Sequence, residues 1–225
     1  MFAPMLAIAA VAAAPGELAA ARPIQLAYEL GVVSDYRFRG VSQSGRKPAL
    51  QAGVQANFAG GAYLGLWGST IEEYASEGDT SGAKVEVDFS AGWAFQAAGL
   101  DVDLSLGAYT YPRAGDLSYV EAPISLSRSF GGATVTLGGA YAPRQAAIGD
   151  KDDGYVYGSV GWQAGPVEMT VESGYEDGAF APGGKWDWSA SVRRQFGPVR
   201  AELSYVDTDQ PDAPAALVAG LTVEF

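Results

Sequence analysis

Hydrophobic and polar residues alternate along the chain from residue 24 onward. In AKVEVDFSAGWAF, residues 83–95, valines and aromatic residues fall on one face, whereas Lys84, Glu86 and Asp88 fall on the other. A period of two is typical of β-strands whose two faces meet different surroundings. No segment has a helical period of comparable strength, so the pattern predicts an all-β fold.

The alternation recurs often enough to predict about twelve strands. They are expected near residues 24–34, 49–58, 62–71, 83–95, 99–111, 118–130, 133–142, 154–163, 166–175, 185–196, 198–206 and 216–225. These lengths cluster near the ~9 to 11 residues that a tilted strand needs to cross a bilayer.

Short and long connections alternate strictly between these strands. Short turns are predicted at 59–61, 96–99, 131–132, 164–166 and 197–198, and longer polar connections at 35–48, 72–82, 112–117, 143–153, 176–184 and 207–215. An even strand number with this alternation is the plan of a transmembrane antiparallel up-and-down β-barrel. We therefore expect short periplasmic turns, longer extracellular loops and both termini on the periplasmic side.

The period alone does not say which face points outward. A soluble barrel would bury its apolar face, whereas a membrane barrel would present that face to lipid. Side chains can fill the interior of a barrel of ~8 strands, but a twelve-stranded barrel is wider and would be hard to fill with an apolar core. The strand number therefore favours the membrane barrel. The final strand, ALVAGLTVEF, ends on Phe225 and is like the C-terminal signal that outer-membrane assembly machinery reads.

Aromatic residues also favour a membrane barrel, because they concentrate toward segment ends as interfacial girdles require. The predicted girdle residues are Trp93, Phe95, Tyr109, Tyr111, Phe130, Tyr155, Tyr157, Trp162, Trp186, Trp188, Phe196 and Tyr205. Arg128 and Arg194 fall on the apolar face, but each precedes a tight turn by two residues. They are therefore expected at the periplasmic interface, where a long cationic side chain can snorkel.

The first residues differ in composition from the rest. Residues 1–21 are apolar and Ala-rich, which predicts a secretory signal peptide or an N-terminal tail, although no Lys or Arg precedes the apolar run. Residues 22–225 are then expected to form a single barrel domain in the bacterial outer membrane.

Composition argues against an enzyme. The chain has no His and no Cys, which removes the commonest general base, the Ser-His and Cys-His pairs and Cys-ligated metals. Carboxylates two residues apart, such as Asp101 and Asp103, have the spacing of an inverting glycosidase, but strand alternation produces that spacing automatically. We expect no cofactor and no metal site. A net charge of -12 argues against nucleic-acid binding.

The stretch from Ser34 to Ser69 resembles the TorF family, proteobacterial outer-membrane proteins with a suspected pore role. The residues that carry the resemblance are Ser34, Asp35, Tyr36, Phe38, Arg39, Gly40, Ser42, Gln43, Pro48, Gly65, Trp67, Gly68 and Ser69, followed by GAKVEVDFSAGW at 82–93 and YTYP at 109–112. The chain departs from the family pattern at SGRKP, where an acidic residue is expected before the glycine. The resemblance implies a barrel and supplies neither a substrate nor a catalytic residue.

If the apolar face meets lipid, the opposite face lines the lumen. Its charged residues are eleven acids and four bases, a formal charge of -7. Unpaired acids in a wet channel favour cation entry, whereas acids paired with bases would only cross-link the wall. The expected lumen charges are Glu29, Glu86, Asp88, Asp101, Asp103, Glu121, Glu168, Glu172, Asp187, Glu202 and Glu224, with Lys84, Lys185, Arg193 and Arg200.

The first long connection, SDYRFRGVSQSGRKP, gathers 4 of the 14 basic residues of the chain: Arg37, Arg39, Arg46 and Lys47. These cations could fold inward onto the acidic wall as a constriction or plug. They could instead face outward and bind lipopolysaccharide phosphates, since the guanidinium fork suits phosphate. They could also remain solvated.

The sequence thus predicts a narrow, cation-leaning outer-membrane pore for small solutes. The alternative is a non-conducting structural barrel that binds a partner or lipopolysaccharide. The expected partners are membrane lipid, lipopolysaccharide, the outer-membrane assembly machinery and small solutes or cations.

Overall fold

The computed structural model describes residues 24–75 and 82–225, so the predicted signal peptide or tail lies outside the described residues. The strands are β1 (Ile24–Val33), β2 (Arg37–Phe38), β3 (Val41–Ser42), β4 (Ala49–Phe58), β5 (Ala62–Tyr74), β6 (Ala83–Ala97), β7 (Leu100–Thr110), β8 (Tyr119–Phe130), β9 (Ala133–Gln145), β10 (Lys151–Ala164), β11 (Val167–Gly178), β12 (Lys185–Phe196), β13 (Val199–Thr208) and β14 (Ala216–Glu224). Single 3-10 turns lie at Gly115–Leu117 and Ala146–Ile148. None of the described residues forms a helix that is long and apolar enough to cross a membrane.

Twelve of these strands form one closed antiparallel barrel. Each pairs with its neighbour along the chain, and β1 pairs with both β4 and β14, with Glu29 opposite Glu224. Every strand edge of the barrel is therefore paired, as a spanning sheet in lipid requires. The predicted twelve-stranded barrel is confirmed. The remaining strands, β2 and β3, form a small hairpin within the first long connection.

The two faces of the wall have opposite character. Aliphatic side chains project outward at mid-strand, with Leu106 65% exposed and Leu137 62% exposed. Carboxylates and tyrosines occupy the inner face, where Glu86, Glu121 and Tyr109 are buried. Exposed apolar surface this continuous is unusual for a protein surrounded by water. The arrangement is the one that a transmembrane barrel requires.

Two arginines stand on the outer face beside the short turns. The guanidinium of Arg128 lies 5.2 Å from the ring centroid of Phe130, and that of Arg194 lies 4.7 Å from the ring centroid of Phe196. Both distances allow a cation–π contact. An arginine near the membrane interface costs little, so these residues are compatible with a lipid-facing wall.

The girdle prediction is wrong for part of its set. Tyr109, Tyr111 and Tyr155 are buried on the inner face, close to the long connections. The physical reason is that their hydroxyls donate to inner-face carboxylates, with Tyr109 bonded to Glu121 at 3.2 Å. Tyr157 also lies on the inner face, where its ring stacks on that of Tyr155. Other members of the set are exposed on the outer face: Trp93, Phe130, Trp186, Trp188, Phe196 and Tyr205.

Candidate lumen constriction

The connection between β1 and β4, residues 34–48, folds into a compact unit that we call the loop plug. Its β2–β3 hairpin has a two-residue turn, Arg39 and Gly40, with Phe38 opposite Val41. Both turn residues have positive φ, 43° for Arg39 and 86° for Gly40. A type I′ turn requires this backbone, which is unfavourable for a residue with a side chain. Arg39 is thereby held at the tip of the hairpin.

Short polar contacts fix the shape of the loop plug. The Asp35 carboxylate accepts hydrogen bonds from the Ser42 hydroxyl at 2.6 Å and from Arg37 Nε at 2.7 Å. Arg37 Nη1 also donates to the carbonyls of Gly40 at 3.0 Å and Pro214 at 2.8 Å. Arg37 therefore ties the plug to itself and to the β13–β14 connection.

The Arg39 side chain lies among carboxylates from three strands. Its Nη1 donates to Glu176 Oε1 of β11 at 2.7 Å, and its Nη2 donates to Glu121 Oε1 of β8 at 2.9 Å. Asp153 of β10 is 4.0 Å from Nη1, and the Arg39 side chain is only 6% exposed. The guanidinium carbon lies 4.1 Å from the ring centroid of Tyr155. A planar guanidinium suits such a site because it can bond two carboxylates while stacking on a ring.

Electrostatics keep Arg39 charged in this position. Burial alone would lower the pKa of its guanidinium, but Glu121 and Glu176 outweigh that effect and raise the pKa above its ordinary value. A buried ion pair is costly to break on one side only, because the remaining charge is left without compensation. Arg39 is thus a strong attachment between the loop plug and the wall.

Further contacts extend the cluster around Arg39. Lys185 Nζ of β12 is 2.6 Å from Glu176 Oε2, so Glu176 pairs with two cations. The Tyr109 and Tyr119 rings stack at 4.6 Å beside Glu121. Together with the loop plug, these side chains form a buried cluster near the long connections.

The loop plug contacts a second part of the wall through Tyr36. Its hydroxyl donates to Glu86 Oε2 at 3.1 Å, and the Tyr111 hydroxyl donates to Glu86 Oε1 at 3.2 Å. The Tyr36 ring meets the Trp67 ring edge to face, with centroids 5.4 Å apart. Burial of the Tyr36 phenol and the nearby Glu86 carboxylate raise its pKa well above the ordinary value, so it remains a hydrogen-bond donor.

The expected lumen residues divide into three groups by position. Those buried around the loop plug are Glu86, Asp88, Glu121, Lys185 and Asp187. Those nearer the short turns are partly exposed: Glu29, Asp103, Glu168, Glu172, Arg193, Arg200, Glu202 and Glu224. Asp101 and Lys84 lie at the barrel ends and are exposed, with the Lys84 ammonium 3.4 Å from Glu73.

The bases near the short turns pair with acids on neighbouring strands. Arg193 Nε donates to Glu202 Oε2 at 2.8 Å, and Arg200 bonds Glu224 across the β13–β14 pair. Asp103 accepts a hydrogen bond from the Tyr63 hydroxyl at 2.9 Å. The wall near the short turns therefore combines paired bases with further acids.

The four cations of the first long connection lie in different places. Arg39 enters the barrel and Arg37 lies within the loop plug, whereas Arg46 and Lys47 are exposed. Within residues 24–75 and 82–225, no group of three or more Asp or Glu side chains is arranged to hold a metal ion.

Sequence reasoning misses two carboxylates that contact Arg39. Asp153 and Glu176 fall in the predicted long connections, but β10 and β11 extend far enough to include them, with Tyr155 opposite Glu176. The available signal is that the alternation of inner-face residues continues through Asp153, Tyr155 and Tyr157.

Gly40 offers a test of how tightly the loop plug fits. A Cβ at Gly40 would lie 2.7 Å from Thr208 Cβ, which is closer than atoms pack. We expect Gly40→Ala to displace the hairpin, lower the unfolding free energy by ~1–3 kcal/mol and make the loop sensitive to protease. Limited proteolysis and the thermal midpoint check this.

Gly60→Ala is the matched control for this substitution. Gly60 has φ of 87°, almost that of Gly40, but an added Cβ there meets nothing within 4 Å. If the two substitutions lowered stability equally, the loss at Gly40 would come from backbone strain alone and not from the tight packing of the loop plug.

The closed barrel, polar interior and infolded first connection define a porin-like architecture. Two solved porin structures share the fold. The KdgM porin in complex with disordered oligogalacturonate aligns with a TM-score of 0.58 and 8% identity, over 89% of this chain and 97% of that one. The NanC porin aligns with a TM-score of 0.56 and 11% identity, over 89% and 99% of the two chains.

The sequence itself belongs to the family Gcw_chp, described as bacterial protein of unknown function, which matches residues 17–221. No curated protein matches the sequence.

Proposed function

We propose that the protein is a narrow outer-membrane pore for small solutes, with the loop plug as its constriction. The observation that carries the proposal is the insertion of Arg39 between Glu121 and Glu176 inside a polar-lined barrel. A loop that folds into the lumen would narrow the path that solutes take through the barrel. The porin-like fold supports this function and an outer-membrane location.

We further propose that the pore favours cations. The inner face carries an excess of acids, and its bases are paired, as Arg193 is with Glu202. Acids that remain in excess in a low-dielectric channel attract cations and repel anions.

Single-channel current through the refolded protein in a planar bilayer tests the proposal. Under a KCl gradient we expect small discrete current steps, with a reversal potential displaced from zero toward the equilibrium potential of K⁺. An anion-selective reversal potential would contradict the cation preference. Silence from a barrel that heat-modifiable gel mobility shows to be folded would contradict the pore itself.

A non-conducting barrel is the second candidate. The observation that favours it is the buried, hydrogen-bonded cluster of Arg39, Glu176 and Lys185. In that case the exposed cations Arg46 and Lys47 would bind lipopolysaccharide phosphates from outside.

The export and assembly features belong to the same proposal. Residues 1–21 would act as the signal peptide. Phe225, which is 73% exposed, would serve as the assembly signal. Its backbone N–H also donates to the Tyr28 carbonyl at 3.0 Å, at the seam where β14 meets β1. The resemblance to the TorF family supports the pore role.

A further inference from the structure

The wall behind Tyr36 carries two carboxylates that form no ion pair with any described residue. Glu86 and Asp88 lie two residues apart on the inner face of β6 and are 1% and 5% exposed. The Glu86 carboxylate accepts hydrogen bonds from the hydroxyls of Tyr36 and Tyr111. Both carboxylate oxygens of Asp88, in contrast, are buried without a hydrogen-bond partner in the described part of the chain. A buried carboxylate in this state is strongly unfavourable unless something neutralises it.

The buried charges as a set are short of cations. Among residues 24–75 and 82–225, seven carboxylates and three cationic side chains are buried, an excess of four negative charges. The acids are Asp35, Glu86, Asp88, Glu121, Asp153, Glu176 and Asp187, and the bases are Arg37, Arg39 and Lys185. Arg37 is paired with Asp35, and both Arg39 and Lys185 contact Glu176, so the Glu86–Asp88 pair receives none of them.

A hydrogen-bond donor is left unpaired at the same level of the wall. Trp67 stands opposite Asp88 in the β5–β6 register, and its buried Nε1–H has no partner among the described residues. Buried donors and acceptors without partners are rare in proteins. A proton on Asp88 would satisfy one oxygen at most and would leave the indole N–H unpaired. A cation, in contrast, can contact both carboxylate oxygens of Asp88 and neutralise the Glu86–Asp88 pair.

We propose that Glu86 and Asp88 hold one hydrated divalent cation of the Mg²⁺ class. The donors at the site are carboxylate and tyrosine oxygens, which suit hard cations. Mg²⁺ in particular keeps several waters and is bound by one or two carboxylates. Two carboxylates also match its charge. Binding at this site does not depend on ion conduction, so it can fail or succeed separately from the pore proposal.

Mn²⁺ serves as the probe, because it shares the preference of Mg²⁺ for octahedral oxygen ligands. Free Mn²⁺ is followed by electron paramagnetic resonance while the ion is titrated into the refolded barrel. We expect one saturable site per barrel, from which Mg²⁺ displaces Mn²⁺. Asp88→Asn should weaken that site at least ~10-fold, equivalent to ~1.4 kcal/mol. Glu86→Gln should do the same.

Asp103→Asn is the matched control. It removes the same charge from the inner face of β7, where Tyr63 already satisfies the carboxylate. We expect this variant to keep the Mn²⁺ site. Equal Mn²⁺ affinity of the Asp88→Asn and Asp103→Asn variants would overturn the proposal, because it would show that the acidic lumen attracts Mn²⁺ only diffusely. A folded wild-type barrel without a saturable Mn²⁺ site would overturn it as well and would leave protonation of the pair as the explanation.

Discussion

Replacing Arg39 by alanine is expected to raise the single-channel conductance several-fold and to lower the unfolding free energy by about 3–5 kcal/mol. The stability loss follows because Glu121 and Glu176 would stay buried without the cation that compensates them. The conductance rise follows because the tip of the loop plug would lose its attachment and the acids would draw water into the space. Planar-bilayer recording and urea unfolding measure the two effects.

Arg46→Ala is the matched control for Arg39. It removes one cation from the same connection, also at a residue with positive φ, but Arg46 is exposed and makes no ion pair among the described residues. We expect unchanged conductance and little change in stability. If both variants conducted like the wild type, Arg39 would not constrict the lumen, and the closed, partner-binding barrel would become the better explanation.

An arginine introduced on the outer face should show whether that face contacts lipid or water. Leu106 is 65% exposed near the middle of β7. In a bilayer, an arginine at the midplane of the lipid face costs about 2–4 kcal/mol, so Leu106→Arg should lower the unfolding free energy by that amount. Urea unfolding of the barrel in lipid vesicles checks the value.

Position along the strand supplies the control for Leu106→Arg. Ala97 is exposed beside the short turn between β6 and β7, where the interface is expected. Ala97→Arg should cost only ~0–1 kcal/mol, as the natural positions of Arg128 and Arg194 also suggest. A mid-strand penalty no larger than that at Ala97 would mean that the bilayer does not surround the centre of these strands.

The barrel can be predicted from local pattern because alternation and turn spacing are properties of neighbouring residues. In β6 and β12, most polar residues face the lumen and most apolar residues face outward, so strand and orientation follow together, and Arg194 on the outer face of β12 is the exception. Strand ends are harder to predict. Asp153 and Glu176 belong to β10 and β11 because pairing continues beyond the region where apolar residues alternate.

The constriction is less predictable because it depends on contacts between distant residues. Nothing in the pattern distinguishes Arg37, Arg39 and Arg46 as the cation that enters the lumen. The RFRGVS stretch contains only half of a hairpin signal, because Gly40 suits the second position of a two-residue turn whereas an arginine does not favour the positive φ of the first position. The partners of Arg39, Glu121 and Glu176, can be identified only in the closed barrel, which brings their strands together.

The contacts of the loop plug also imply an order of assembly. Arg39 bonds Glu121 and Glu176, 82 and 137 residues further along the chain, and Arg37 bonds the Pro214 carbonyl, 177 residues away. Contacts between residues so far apart form slowly, because the intervening chain must be ordered first. Because the loop plug precedes all of these partners along the chain, we expect it to be among the last parts to reach its native place, after the strands that carry its partners have paired.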